Sequence, residues 1–206
     1  MGGHRKLQQY LLKALVAILG LLVVGVALYI FIFPFYPEIK YKFWVKPAVS
    51  QIASQTTSGV AVAMLPSAEN LDLGNRLIIP KIGVDIPIVD SQNSTWALAR
   101  GAWRLPQTST PDQGSNTAIA GHRFKYLPPN NLTFYLLDKL QAGDGLVVIW
   151  SGKEYDYQVV ESKIVPPSEV SVLAPSEKAI ITLITCDPIW TQTNRLIVTG
   201  ELINQQ

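Results

Sequence analysis

The chain has 206 residues, which is enough for one domain of ordinary size together with flanking segments. Its 17 basic and 15 acidic side chains leave a net charge of +2, and this balance excludes the dense basic surface that nucleic-acid-binding proteins carry. With one cysteine and two histidines, the chain cannot form an intrachain disulfide or a Cys/His zinc site.

The N-terminal part contains an uncharged apolar segment, ALVAILGLLVVGVALYIFIF, over residues 14–33. At about 1.5 Å per residue, a helix of this length spans the hydrocarbon layer of a bilayer. The alternative is a cleaved secretory signal, but its apolar core is usually only about 7–15 residues long and ends at a small-residue cleavage site. We therefore expect a tail over residues 1–13 and an uncleaved transmembrane helix over residues 14–36 that contacts membrane lipid.

The basic residues around this segment do not decide its orientation. Three of them lie on each side: Arg5, Lys6 and Lys13 before it, and Lys40, Lys42 and Lys46 after it. Since the positive-inside rule compares these counts, it gives a tie. The short tail, which lacks acidic residues, favours a cytoplasmic N-terminus.

A change in composition near residue 75 marks the start of a folded domain over residues 75–206. The preceding residues, 37–74, become rich in Ser, Thr, Ala and Gln from Pro47 onward, which is typical of a linker. After them, short β-branched runs alternate with Gly and Pro, as in NRLIIPKIGVDIPIVD, NTAIAGH, GLVVIWSGKEYDYQVVES, AIITLIT and RLIVTGEL. Many short strands with few helices predict a closed β-barrel or a β-sandwich.

Local signals within this domain predict one hairpin and two short helices. Ser151-Gly152 separates two runs of strand-forming residues and is expected to form the hairpin turn. TFYLLDKL and PSEVSVL are the segments with helical character, and Thr133 and Ser168 are their expected N-caps.

The single cysteine, Cys186, follows the apolar run AIITLIT and precedes Asp187-Pro188. Because Pro188 has no N–H for strand pairing, the thiol is expected where a buried strand ends and a loop begins. Catalytic groups often lie at such positions, since the strand is rigid and the loop leaves access. The alternative is an unreactive buried cysteine, because reactivity requires a nearby base or cation.

Two residues elsewhere can supply these groups. His122 follows the apolar run TAIAG, so a second strand end carries an imidazole. Arg195 opens RLIVTGEL, and if this run pairs antiparallel with AIITLIT, Arg195 faces Cys186 across the two strands. A guanidinium keeps its charge and has five N–H donors, which suits an oxyanion or a peptide carbonyl. Taken singly, His122 is also compatible with a strand-end hydrogen bond and Arg195 with a surface charge.

This combination resembles the sortases, the cysteine transpeptidases of bacterial cell surfaces. The similarity rests on TLITC, on the downstream arginine that opens a strand and on the upstream GSNTAIAGHR. With LIIPKIGVDIPIV and LDKLQAGDGLVVIWSGKEYDYQV, it extends over residues 76–202. The resemblance implies a mainly β fold, a closed eight-stranded barrel with short helices, behind one N-terminal transmembrane helix. It also implies a cell-membrane location, a cytoplasmic N-terminus, and a linker and catalytic domain outside the cytoplasm.

The resemblance also assigns roles to individual residues. Cys186 matches the nucleophile, His122 the general acid and base, and Arg195 the arginine that stabilises the oxyanion or the substrate. Thr185 matches a position that binds the substrate carbonyl or shapes the oxyanion site. Trp190, between Cys186 and Arg195, either lines the substrate groove or anchors its loop.

The implied reaction is acyl transfer without a cofactor. The thiolate attacks the scissile carbonyl of a Leu-Pro-x-Thr-Gly-like sorting signal, and an amine of the cell envelope then takes the acyl group from the thioacyl-enzyme. The implied partners are surface proteins that bear a C-terminal sorting signal and the amine acceptor. Nucleic acid is not expected as a partner.

Departures from the pilin-polymerising sortases favour an anchoring or housekeeping type. The pilin type usually carries an Asp-Pro-aromatic lid before the barrel and often a second hydrophobic tail. Here the one Asp-Pro pair, Asp187-Pro188, follows the cysteine, and the chain ends in the polar ELINQQ. Because Asp112, Asp144 and Glu154 are scattered singly, no required metal is expected. Two alternatives stay open: a hydrolase that uses water at the same site, and a non-catalytic membrane-tethered β-domain.

Overall fold

The computed structural model describes residues 2–44, 74–124 and 134–206. Its helices are α1 (Gly2–Ile32), α2 (Tyr36–Trp44) and α3 (Ser94–Leu98). Its strands are β1 (Arg76–Ile79), β2 (Val84–Asp90), β3 (Ala102–Arg104), β4 (Asn116–Ala120), β5 (Gly145–Trp150), β6 (Lys153–Val165), β7 (Ile180–Asp187) and β8 (Asn194–Gln205). Short 3₁₀ turns occupy Phe33–Phe35, Pro80–Ile82, Pro111–Gln113, Leu137–Lys139 and Val170–Leu173.

The first helix carries a long apolar segment. The helical stretch from Gln8 to Phe43 is long and apolar enough to cross a membrane, and its most apolar 18 residues have a mean hydropathy of 3.0. The turn at Phe33–Phe35 contains Pro34, which has no N–H for an α-helical hydrogen bond and so separates α1 from α2. The limits of the tail, of the span at residues 14–36 and of the linker stay predictions.

Helix α2 occupies the beginning of the stretch predicted as linker, residues 37–74. Pro37 in its first turn, Glu38 near its N-terminus and Lys42 in its last turn all favour a short helix. Tyr41 packs against the core of the barrel, and Glu38 Oε1 lies 3.2 Å from Lys139 Nζ. The polar part of the predicted linker lies outside the described residues.

The eight strands close into a barrel in the order β1-β2-β3-β4-β7-β8-β6-β5, with β5 returning to β1. Two neighbouring pairs, β2–β3 and β4–β7, are parallel, and the other pairs are antiparallel. This result confirms the closed eight-stranded barrel behind an N-terminal apolar helix. It also resolves the choice between barrel and sandwich that composition left open.

The barrel interior is filled by apolar side chains from all eight strands. Strand β2 shows the expected period of two, since Val84, Ile86 and Ile88 are buried while Asp85 and Pro87 are exposed. The largest fully buried side chains are Tyr155, Tyr157, Phe134, Leu77, Ile79, Ile86, Ile119, Leu137, Leu146, Ile181, Leu183 and Ile197. Because these side chains fill the interior, a functional site must lie at a rim.

Several local predictions agree with the structure and others do not. The hairpin at Ser151-Gly152 is confirmed, because β5 and β6 pair up to Trp150↔Lys153 and both turn residues have positive φ. In PSEVSVL only a 3₁₀ turn forms, and its N-cap is Glu169 rather than Ser168, since the Glu169 carboxylate accepts the Ser171 N–H. In TFYLLDKL the described helical part is the single 3₁₀ turn Leu137–Lys139. Thr133 lies outside the described residues.

The sequence analysis did not predict helix α3 or strand β3. Helix α3 is capped by the side chain of Asn93, which accepts the Trp96 N–H at 3.0 Å, and this cap before STWAL was a usable signal. Strand β3 has three residues and pairs only through partners distant in sequence, so no local pattern marks it.

The close approach of Gly121 to Phe134 provides a test of the packing. A Cβ on Gly121 would lie 2.7 Å from Phe134 Cδ2, and the ring is fully buried. Gly121→Ala should therefore lower the free energy of unfolding by about 1–3 kcal/mol, the usual cost of overpacking a core. The measurement is urea denaturation of the full chain in mild detergent, followed by tryptophan fluorescence.

Gly145→Ala is the matched control, because a Cβ on Gly145 meets nothing within 4 Å and the residue opens β5. We expect the free energy of unfolding of this variant to equal that of the wild type or to exceed it by up to about 1 kcal/mol. Equal unfolding midpoints for the two variants would show that the Gly121–Phe134 contact is not close.

Candidate functional site

The candidate site lies where two parallel strands end at the same rim. Strands β4 and β7 pair in parallel up to Ala120↔Ile184, and the Gly121 N–H donates to the Ile184 carbonyl at 3.0 Å. The pairing therefore continues to Gly121, and the segment that leads to His122 runs beside the end of the strand that carries Cys186. The two residues that the sequence singled out thus lie on adjacent chain segments.

Strand β8 brings Arg195 to the same place. Strands β7 and β8 are antiparallel and pair Cys186 directly with Arg195, as the sequence predicted. Directly opposed residues on neighbouring strands project to the same face, with Cβ atoms about 4.5–5.5 Å apart. The loop between them is shorter than expected, because the pairing extends to Asp187↔Asn194.

The Arg195 side chain is held by its own loop. Its Nη1 donates to the carbonyls of Gln192 at 3.1 Å and Asn194 at 2.8 Å. Both described bonds use Nη1, so Nε and Nη2 are the donors through which Arg195 can meet an oxygen outside the loop. The side chain is partly buried, which fixes its position more firmly than that of a surface arginine.

Cys186 is a free cysteine, and the residue is of intermediate exposure. The preceding residue, Thr185, is buried, with 2% of its surface exposed. Its hydroxyl donates to the Gly121 carbonyl at 2.8 Å and so ties the end of β7 to the segment that leads to His122. This bond uses the hydroxyl proton inside the protein, and the role predicted for Thr185 in the site stays a prediction.

Trp190 lies on the Cys–Arg loop and is 64% exposed. Its ring meets the edge of Phe124 with 5.1 Å between centroids, and Phe124 in turn lies 6.0 Å from Tyr135. The tryptophan therefore anchors its loop to the chain just after His122 and still presents a wide apolar surface to solvent. Both roles that the sequence left open for Trp190 are compatible with this placement.

Arg123 is the component of the site that sequence analysis missed. It is 5% exposed, and its Nε donates to the Tyr135 carbonyl at 3.0 Å. Its Nη1 lies 3.1 Å from Asp187 Oδ1 and 3.5 Å from the Cys186 carbonyl, and its Nη2 lies 2.9 Å from Asp138 Oδ1. A usable signal was the presence of a cation directly after the histidine and a carboxylate directly after the cysteine.

Two ionisable groups around this network have shifted pKa values. Burial raises the pKa of the Tyr135 phenol, with the Glu38 carboxylate adding to the effect. The hydrogen bond to Asp138 raises the pKa of the Lys139 ammonium. Since both shifts move titration further above neutral pH, Tyr135 stays neutral and Lys139 stays charged under physiological conditions.

No cluster of three or more His, Cys, Asp or Glu side chains that could hold a metal occurs within residues 2–44, 74–124 and 134–206. Of the three scattered acids, Asp144 is engaged by Lys81 Nζ at 2.8 Å and by the Gln141 N–H at 2.6 Å. The expectation that no metal is required stays a prediction.

The bond from Thr185 to Gly121 gives a test of how the site is held. Thr185→Val deprives a buried carbonyl of its donor and should lower the free energy of unfolding by about 1–3 kcal/mol. Thr117→Val is the control, because the Thr117 hydroxyl is buried and has no hydrogen-bond partner among the described residues. That variant should be neutral or more stable, as measured by urea denaturation. Equal losses in both variants would contradict the proposed bond.

Comparison with known proteins agrees with this geometry. A family model described as the sortase domain matches residues 77–203. Sortase SrtE1 of Streptomyces coelicolor is 34% identical over 145 residues, which are 63% of this chain and 40% of that protein. Sortase A of Listeria monocytogenes is 30% identical over 143 residues, which are 68% of this chain and 62% of that protein. The alignments thus span about two-fifths and three-fifths of the lengths of these relatives.

Solved structures show the same fold. The crystal structure of sortase E1 from Streptomyces coelicolor, with a tripeptide in its active site, matches with a TM-score of 0.57 and 31% identity over 65% of this chain and 89% of that one. Sortase A of Listeria monocytogenes matches with a TM-score of 0.56 and 26% identity over 65% and 89% of the two chains. The sortase-domain match over residues 77–203, together with the barrel topology and the pairing of Cys186 with Arg195, shows that the chain belongs to the sortase family.

Proposed function

We propose that this chain is a membrane-anchored transpeptidase that cleaves a Leu-Pro-x-Thr-Gly-like sorting signal and transfers the acyl part to an amine of the cell envelope. The observation that carries the proposal is the convergence of three chain segments at one rim. Cys186 is paired with Arg195 across β7 and β8, and His122 follows the strand that runs parallel to β7.

In the first step, the Cys186 thiolate attacks the carbonyl carbon of the scissile peptide bond and forms a C–S bond. The C–N bond then breaks, and the imidazolium of His122 gives its proton to the departing amine, which leaves a thioacyl-enzyme. Arg195 stabilises the oxyanion that develops on the carbonyl oxygen, because its guanidinium stays charged and is held at the rim.

In the second step, an amine of the cell envelope attacks the thioacyl carbonyl. Neutral His122 takes the proton from this amine, the C–S bond breaks, and the thiolate of Cys186 is restored. No cofactor takes part, since the proton moves between the imidazole and the two amines. Water in place of the amine would turn the same site into a peptidase that releases surface proteins.

The location proposed for the enzyme follows from the apolar N-terminal helix. Residues 14–36, within the helical stretch Gln8–Phe43, anchor the chain in the cell membrane. The short N-terminal tail without acidic residues favours an N-terminus in the cytoplasm and a barrel outside it. Surface proteins with a C-terminal sorting signal are the proposed substrates. The subtype we propose is the anchoring or housekeeping one, on the sequence features given above.

The direct test is to look for the acyl-enzyme. The full chain in detergent is incubated with a panel of sorting-signal peptides, and intact mass spectrometry should find the acyl fragment attached to Cys186. Cys186→Ala should give no adduct and should lose at least about a thousandfold in cleavage rate, since the nucleophile is gone. Adding an amine acceptor should convert hydrolysed product into amide product.

A conservative change tests Arg195 separately. Arg195→Lys keeps the charge but loses the fork of donors, so kcat should fall by about tenfold or more. Arg100→Lys is the control, because Arg100 is exposed and its described contacts, with the ring and the carbonyl of Trp96, include no residue of the site. Peptide cleavage by Cys186→Ala, or no cleavage and no adduct with any peptide in the panel, would refute the proposed function.

The pH dependence of kcat/KM gives an independent test. The thiol must lose its proton and the imidazole must carry one, so the profile should be bell-shaped and should report the coupled pair. Neither limb comes from Tyr135 or Lys139, whose shifted pKa values lie further above the neutral range. A rate that stays flat between about pH 5 and about pH 10 would contradict a Cys–His mechanism.

A further inference from the structure

We propose that Arg123 is a positioning residue that joins the strand ends carrying His122 and Cys186 and neutralises the carboxylate beside the thiol. The inference rests on the proposed role of Cys186 as the nucleophile. It goes beyond that role because Arg123 would act through its neighbours and not on the substrate.

The contacts of Arg123 connect three separate parts of the chain. The residue directly follows His122, its Nε reaches the carbonyl of Tyr135, and its Nη2 reaches Asp138. Its Nη1 reaches Asp187 at 3.1 Å and lies at the outer limit of hydrogen-bonding distance, 3.5 Å, from the carbonyl of Cys186. One planar group therefore links the His122 segment, residues 134–138 and the end of β7.

Burial makes these contacts rigid. Arg123 is 5% exposed and Asp187 has 18% of its side chain exposed, so water screens their interaction only weakly. A guanidinium in this position must keep its carboxylate partners, because an unpaired buried charge is strongly unfavourable. The position of Arg123 therefore constrains both backbone segments that bear the reacting groups.

The charge of Asp187 gives Arg123 a second role. Asp187 directly follows Cys186 in β7, and the two side chains project to opposite faces of the strand. A largely buried carboxylate one residue from the thiol still disfavours a thiolate, because water screens it only weakly. Pairing with Arg123 cancels that negative charge next to the thiol. Asp138 depends less on Arg123, because Lys139 also binds it at 2.7 Å.

A buried arginine can also serve stability alone, and Arg104 shows that case within the same barrel. Arg104 is 7% exposed, pairs with Asp90 at 2.6 Å and donates to the carbonyls of Leu105 and Thr108. It resembles Arg123 in burial and in partners, yet its described contacts include no residue of the site. Arg104 is therefore the matched control for the loss of a buried ion pair.

The experiment compares Arg123→Gln, Asp187→Asn, the double variant and Arg104→Gln in the full chain in detergent. Three quantities are measured: thermal stability, the rate of Cys186 alkylation by iodoacetamide without peptide, and kcat and KM with a sorting-signal peptide. Arg123→Gln should slow alkylation and lower kcat by about tenfold, with a smaller change in KM. Arg104→Gln should lose similar stability but stay within about twofold of the wild-type rates.

The double variant separates the charge effect from general damage. Since Asp187→Asn removes the unpaired carboxylate, the Arg123→Gln/Asp187→Asn variant should alkylate at least about threefold faster than Arg123→Gln. If Arg123→Gln does not fold, Arg123→Lys takes its place. Lysine keeps the positive charge but loses the forked donors that reach three segments. The Arg123→Lys variant should therefore lose less of its alkylation rate than of its kcat.

The proposal is overturned if the double variant is no faster than Arg123→Gln, or if Arg104→Gln slows alkylation equally. Alkylation is measured without peptide, so the outcome is independent of the substrate. A wild type that forms no acyl-enzyme but shows the predicted alkylation pattern would refute the proposed function and support the role of Arg123 at the thiol.

Discussion

The parallel pairing of β4 with β7 is the constraint on which the site depends. Parallel strands end at the same edge of a sheet, so this one pairing brings the chain after Ala120 next to the chain after Ile184. A parallel pair needs a long connection, and here the connection includes β5 and β6. This is why His122 and Cys186 are far apart in sequence and yet lie on chain segments that run side by side at the rim. The antiparallel return of β8 then adds Arg195 without any further long connection.

The rim differs from the interior in the way its polar groups are satisfied. Inside the barrel, the core consists of apolar and aromatic side chains that all eight strands contribute. At the rim, a buried cation has carboxylate and carbonyl partners on three segments, and Thr185 donates to a backbone carbonyl. Burying such charges costs desolvation energy, so the network is retained only if nearly every member is paired. The network at the rim is therefore sensitive to the loss of any one partner.

Sequence reasoning predicted the elements whose signals are local. Alternating β-branched runs predicted most of the strands. The dipeptide Ser151-Gly152 predicted the hairpin, which the structure confirms. The facing of Cys186 and Arg195 was also predictable, because a short loop between two apolar runs dictates antiparallel pairing. Strand β3 was not predictable, since its three residues are defined by partners far along the chain. Arg123 was overlooked for a related reason: an arginine after a strand usually faces solvent, and its burial depends on partners supplied by other segments.

The hydrogen bond of the Thr185 hydroxyl limits which groups can donate to the proposed oxyanion. Its proton is directed to the Gly121 carbonyl, so this group is not the donor that meets a charge developing outside the barrel. Arg195 has Nη1 committed to the loop carbonyls of Gln192 and Asn194, which leaves Nε and Nη2 as the donors that can meet an oxygen outside the loop. Stabilisation by preorganised donors is strongest where they need not reorganise, and the loop bonds hold the guanidinium in place before a substrate arrives. The Cys–Arg loop therefore contributes to the proposed chemistry through its backbone carbonyls, which orient the guanidinium that is paired with Cys186 across β7 and β8.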